Sequence, residues 1–233
     1  MKINDHIKYQ DLPLYVNQHI NFLHPTELKF LISGFTFLML DLFLLPLLYP
    51  IVDLVLYLIV PLLIFIHLWA IRLLVKNPYT IQFEFILFMG SIGFVGTICY
   101  LILSHKIAYL QIGITSVSYY LTSTVGILLI IGYLVCYQLD KYSNIVKAHK
   151  DKRGSSNSII GPSVASLSSL GYSFAQATKG YELIMYSILL VIFLGFCLFF
   201  AYISAKYFHK YFFMKANPQY VRFHRPSKRE RRE

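Results

Sequence analysis

Long apolar runs alternate with short polar breaks along this chain. Five runs stand out: Phe30 to Leu48, Ile51 to Val75, Ile81 to Ser104, a stretch within Ile112 to Tyr137, and Leu183 to Ala205. Each is close to the ~20 residues that an α-helix needs to cross the ~30 Å hydrocarbon core of a bilayer. Tyr49-Pro50 and Asn77-Pro78 read as the turns between them, and Pro46 and Pro61 as kinks, because each proline removes a backbone donor. Ahead of the first run, His24-Pro25-Thr26-Glu27 reads as a helix start. Proline is preorganised for a first turn, and an early glutamate suits the positive helix end. Pro13 to Leu23 predicts a short interfacial helix with Leu14, Ile20 and Leu23 as its apolar contacts.

A sixth run is hidden by serine. Gly154 to Thr178 carries no charge, and Gly161, Ala165, Ser169, Ser173 and Ala177 recur at every fourth position. On a helix they form one ridge of small residues, the kind that lets membrane helices approach closely. The competing readings are a flexible Ser/Gly linker and a surface-lying or re-entrant segment. Charge placement favours a span. With six crossings and both termini inside, only Lys106 and Lys179 of the 21 Lys and Arg fall outside. With five, one of two large basic clusters must be outside, against the positive-inside rule. The expectation is an all-α integral membrane bundle of six helices in three hairpins, with both termini cytoplasmic. It comprises a cytoplasmic or interfacial segment 1–29, a membrane domain 30–206 and a basic cytoplasmic tail 207–233.

Composition agrees. The 233 residues are 57% hydrophobic and only 14% charged, where a soluble domain has about 25% charged residues. A soluble enzyme, a disordered chain and a disulfide-rich secreted module are all excluded. The net charge of +10 would suggest nucleic acid in a soluble protein. Here the bases sit between and after the apolar runs, and no groove-reading module is visible, so no nucleic-acid partner is expected. The tail bases, Lys228, Arg229, Arg231 and Arg232 among them, suit anionic lipid headgroups instead. Residues 1–28 mix acids with bases and lack an apolar core, so they do not read as a signal peptide. Cys99, Cys136 and Cys197 each lie inside an apolar run, as small buried residues rather than a disulfide framework.

Ionisable residues at membrane depth are functional candidates by default. Asp41 is deep in the first span, and Asp53 is about one turn into the second. The short turn between their helices suggests that both face one outer vestibule, as a cation site or proton relay. The alternative is a pair of acids bonded to neighbouring hydroxyls. His67 lies in the inner half of the second span and reads first as a hydrogen-bonded packing residue. Arg72 and Glu84 flank the second turn and are expected to pair across the hairpin, unless Arg72 snorkels to the headgroups. Gly90, Gly93 and Gly96 in the third span, and Thr115, Ser116, Ser118, Thr122, Ser123, Thr124 and Gly126 in the fourth, fit helix packing; a polar pore lining is the sharper alternative. No zincin, nucleophile-elbow or phosphate-loop motif is present, nor a Cys/His or acid cluster for a metal. Neither an enzyme nor a cofactor is expected.

The Ile-, Lys-, Phe- and Tyr-rich, Ala-poor usage resembles that of a low-GC Gram-positive bacterium. The size, the six spans, the tiny outer turns and the basic tail Lys228-Arg229-Glu230-Arg231-Arg232 resemble the small polytopic membrane proteins encoded beside type VII secretion toxins in staphylococci, some of which are similar to immunity proteins. The resemblance covers the general plan and no specific site. It implies a non-enzymatic protein of the cytoplasmic membrane that binds another membrane protein, a toxin or a sibling subunit, and an oligomer is compatible with it. The Gly161 to Ala177 ridge is the candidate recognition surface. The alternative from another class is a small transporter or channel subunit that uses Asp41 and Asp53.

Overall fold

The computed structural model describes residues 3, 9–143 and 181–224. Among the described residues all regular structure is helical. A short helix α1 (Leu14–Ile20) precedes α2 (Pro25–Ser33), which continues into a π-helix, Gly34–Leu42, and a 3-10 turn, Leu45–Leu48. Four long helices follow: α3 (Asp53–Val75), α4 (Gln82–Leu110), α5 (Val117–Ser143) and α6 (Glu182–Ala216). The continuous stretch Glu27–Leu48 and these four are long and apolar enough to cross a membrane. Leu54, Leu68, Leu129 and Val191 are among many large apolar side chains left exposed on them. An outer surface of that kind suits lipid and not water, so this is a membrane protein with several spans. The sixth run, with Gly161, Ala165, Ser169, Ser173 and Ala177, and the tail bases from Lys228 to Arg232 lie outside the described residues.

The elements begin and end where local chemistry requires. Pro25 opens α2 at its first position, with Glu27 in the first turn. Beyond Val75, Asn77 closes the turn: its side-chain oxygen accepts from the Tyr79 N–H at 2.9 Å and its carbonyl from the Thr80 hydroxyl at 2.8 Å. α4 ends ahead of Gly113, whose φ of +77° few other residues adopt. The first span departs from a uniform helix. Its middle widens into the π register, and Pro46, which has no N–H to give to the Leu42 carbonyl, tightens its end into a 3-10 turn. The interfacial helix is shorter than its sequence pattern and packs inward: Val16 and Ile20 are buried, whereas Leu14 and Leu23 are exposed.

The core lies between α4 and α6. Three glycines of α4 face α6, and a Cβ on Gly93 would stand 2.5 Å from the Ser204 nitrogen, so these two backbones touch. Gly96 gives way to the Phe200 ring and Gly90 to Phe208. Tyr100, fully buried, stacks with Phe193, Phe196 and Phe200 at 5.9, 5.2 and 5.4 Å. Small-residue contact of this type replaces the hydrophobic drive that lipid does not supply.

The first and last described segments of the chain meet at one end of the bundle, here called the terminal end. The Ile3 N–H donates to Asn217 at 2.6 Å, the Arg222 guanidinium lies 3.7 Å from the Tyr9 ring centre, and Phe22 stacks on Phe223. Ile3, Leu12, Val16 and Ile20 form a second small core there with Tyr142 of α5 and Phe213 of α6. At the opposite, distal end, Tyr186 and Leu189 of α6 line a small cavity with Leu47, Pro50 and Lys106. Thus α5 and α6 both run from the distal end to the terminal end, and residues 144–180 connect the terminal end of one to the distal end of the other. Helix α6 continues through positions 206 and 207 without a break. Its 35 residues make it ~52 Å long, more than the ~30 Å hydrocarbon core takes up.

Candidate functional site

Asp41 and His67 form the one close acid–histidine pair among the described residues. His67 Nε2 lies 2.8 Å from Asp41 Oδ2, and His67 Nδ1 lies 2.6 Å from the Leu63 carbonyl oxygen one turn back. The Phe37 ring meets the imidazole edge-on, with centroids 5.8 Å apart. The π-helix supplies Asp41, and α3 supplies His67 a few residues past Pro61. Single π turns inside α-helices are frequent at functional sites.

The hydrogen-bond pattern fixes the proton content of the pair. A carbonyl oxygen only accepts, so Nδ1 carries a hydrogen. The contact between Nε2 and Oδ2 then needs one more, held by either the imidazole or the carboxyl. An imidazolium facing a carboxylate and a neutral imidazole facing a carboxylic acid have the same composition and the same net charge, zero. Neutrality is what a low-dielectric interior favours. Losing the bridging proton leaves a negative charge at depth, and gaining one leaves a positive charge. Two more oxygens stand ready on the π-helix: Asp41 Oδ1 and the Thr36 hydroxyl are both buried without a hydrogen-bond partner. The pair opens on a groove of about 400 Å³ whose other walls are apolar, Leu45, Val60 and Leu68 among them.

Asp53 is no part of this site. It is the first residue of α3 and is exposed. His67 is fourteen positions further along, ~21 Å at helical rise. The shared vestibule expected for Asp41 and Asp53 is therefore replaced by an Asp41–His67 pair about mid-bundle. Arg72 does meet Glu84 across the α3–α4 hairpin, at 3.1 Å, and Lys76 and the Trp69 indole N–H reach the same carboxylate, each at 3.1 Å. This cluster is partly exposed at the terminal end and clamps the hairpin. At the distal end Lys106 is buried, and its ammonium donates to the carbonyls of Leu47 and Leu48, both at 2.7 Å. It caps the free carbonyls of the first span and complements their partial negative charge. His105 reaches the Ser123 hydroxyl of α5 at 3.0 Å, the place where a polar residue of the fourth span joins two helices.

Two features escape a reading of the residues in order. The Tyr100 hydroxyl donates to the Met39 carbonyl at 2.8 Å, which ties α4 to the π-helix beside Asp41. His19 of α1 lies 3.1 Å from His209 of α6, and both stack on Tyr142, at 4.1 and 4.9 Å. Burial first, then the charges of His209, Lys210, Lys206 and Lys141, hold His19 far below its ordinary value, at about 2. It is neutral at physiological pH. No sequence signal announces a contact between residues 190 positions apart. Among the described residues no cluster of three or more His, Cys, Asp and Glu is able to hold a metal ion. Comparison of the chain with protein-family models, with curated proteins and with solved structures gives no match.

Proposed function

We propose that the chain is a six-crossing protein of a bacterial cytoplasmic membrane, with both ends in the cytoplasm, and that it works as a small transporter or channel subunit whose proton-carrying centre is the Asp41–His67 pair. The observation that carries this reading is the 2.8 Å contact between Asp41 and His67, two partly buried ionisable side chains about mid-bundle. From His67 the rise along α3 is ~21 Å to Asp53 and ~12 Å to Val75. A site at that depth that exchanges one proton couples to charge or solute movement, as ionisable residues inside membranes do. Charge supports the orientation. Of the described bases, Lys29, Arg72, Lys76, Lys141, Lys206, Lys210, Lys215 and Arg222 belong to the terminal end and Lys106 to the distal end. The terminal end is then the cytoplasmic one. A return crossing within 144–180 accommodates two parallel helices in sequence.

The test is proton entry into proteoliposomes that hold a pH-sensitive dye and are driven by a potassium diffusion potential. Wild-type protein acidifies the lumen. Asp41→Asn, which keeps the shape and a hydrogen-bonding group but not the titration, abolishes the signal, and Asp53→Asn leaves it intact. Equal flux from Asp41→Asn and wild type refutes the assignment.

A second reading, the capture of another membrane protein in the manner of an immunity protein, has one observation in its favour. Little of helix α5 is buried along its apolar window, and Ser118 and Thr122 are exposed on it. Exposed hydroxyls at membrane depth suit a neighbouring helix better than lipid. Under this reading, expression protects cells from depolarisation by a cognate toxin, and Ser118→Leu with Thr122→Leu removes the protection.

A further inference from the structure

A cavity of about 430 Å³ opens at the terminal end between α1, the end of α5 and α6. It shares no residue with the Asp41–His67 groove. Its cations are Lys141, Lys206 and Lys210, and no Asp or Glu lines it. Among the described residues none of the three lysines is paired with a carboxylate. Lys210 donates to the Asn21 carbonyl at 2.7 Å, and the ammoniums of Lys206 and Lys141 lie 5.9 and 5.7 Å from the ring centres of Tyr202 and Tyr142. Helix geometry enforces the gathering. Lys206 and Lys210 are four apart on one face of α6, a like-charge spacing that weakens a helix on its own. The chain brings a third lysine from α5 to the same place. With no paired carboxylate among the described residues, these three ammoniums repel one another.

We infer that this cavity is a binding site for a phosphate-bearing anion, and that the anion is the headgroup of an acidic phospholipid. The phosphate chemistry follows from several ammonium donors around one space. The lipid source follows from position. The cavity lies where α6 leaves the apolar zone, and its Tyr15, Tyr202 and Tyr207 are the amphipathic rings that settle at headgroup level. Basic pockets between membrane helices on the cytoplasmic side hold acidic headgroups in this way. The site is built by helices of the bundle and includes none of the bases from Lys228 to Arg232.

The full chain, purified in mild detergent, is offered phosphatidylglycerol, phosphatidylcholine and inorganic pyrophosphate in separate titrations, and retained ligand is counted by native mass spectrometry. The expected result is retention of phosphatidylglycerol over phosphatidylcholine. Lys206→Gln with Lys210→Gln weakens this about 30-fold, from ~1 kcal/mol per base. Lys206→Arg with Lys210→Arg keeps the charge and restores retention, which separates lost binding from lost folding. Gln at Lys228, Arg229, Arg231 and Arg232 together leaves it unchanged. Pyrophosphate that binds with the same lysine dependence while phosphatidylglycerol does not overturns the lipid source and keeps the phosphate site. Phosphatidylglycerol retention that ignores the α6 lysines and follows the tail overturns the cavity as the site.

Discussion

A hydroxyl decides how well the first span keeps its shape. Tyr100 is surrounded by Phe193, Phe196 and Phe200, so Tyr100→Phe loses no apolar packing and only unbinds the Met39 carbonyl. Losing a hydrogen bond of this kind costs ~0.5–1.5 kcal/mol. Tyr100→Phe is expected to unfold that much more easily in detergent, and to reduce proton flux by loosening the segment that carries Asp41. Stability and flux equal to wild type would remove Tyr100 from the account. At this scale the sequence is informative about candidates and silent about pairs. Asp41 and His67 are conspicuous because charge is rare in apolar runs. Their meeting depends on a π register that no residue pattern announces. Arg72 and Glu84 are easier, because a short turn ties together the two helix ends that carry them.

Among the elements, α4 and α6 form the tightest contact. The spacing of Gly90, Gly93 and Gly96 shows that α4 packs closely against something, but not against what, because α6 lies about a hundred residues away. Gly93→Val pushes a branched side chain into the Ser204 backbone, whose nitrogen stands 2.5 Å from the place a Cβ would take. Overpacking of that kind costs ~1–3 kcal/mol or more. The variant is expected to show a lower thermal midpoint in detergent than Gly126→Val on α5, where a Cβ meets nothing within 4 Å. The reverse order would contradict the packing. Helix α1 responds to acid. His19 is neutral when folded and ordinary when unfolded, so below its ordinary value of 6.5 the unfolded state binds the extra proton. Docking of α1 is therefore at full strength above that value and is lost progressively as pH falls toward 2. Amide protection in Leu14–Ile20, measured relative to the intrinsic exchange rate at each pH, is expected to be lower at pH 5 than at pH 7.5, and His19→Gln to flatten most of the difference; an unchanged pH dependence in that variant would assign the effect elsewhere. Sequence places α1 correctly, but its apolar contacts differ from the pattern, because the end of α6 offers a surface that the lipid reading does not include.

For the whole molecule, helix count and direction follow from ordinary physical rules. Apolar length gives the five described helices that are long enough to span, and charge placement supports the orientation proposed for them. The meeting of the first and last described segments is a tertiary fact: Ile3 on Asn217, Tyr9 under Arg222 and Phe22 on Phe223 bind remote residues together. The proposed sixth crossing would return the chain between two helices that run in the same direction. Single reporter cysteines test this directly, in a background where Cys99, Cys136 and Cys197 are replaced by alanine. Gln10→Cys and Gln219→Cys report the terminal end, and Thr115→Cys reports the distal turn. In intact cells a membrane-impermeant maleimide is expected to label Thr115→Cys alone, with the other two labelled only after the membrane is opened. Labelling of Gln10→Cys and Gln219→Cys from opposite faces would contradict the account.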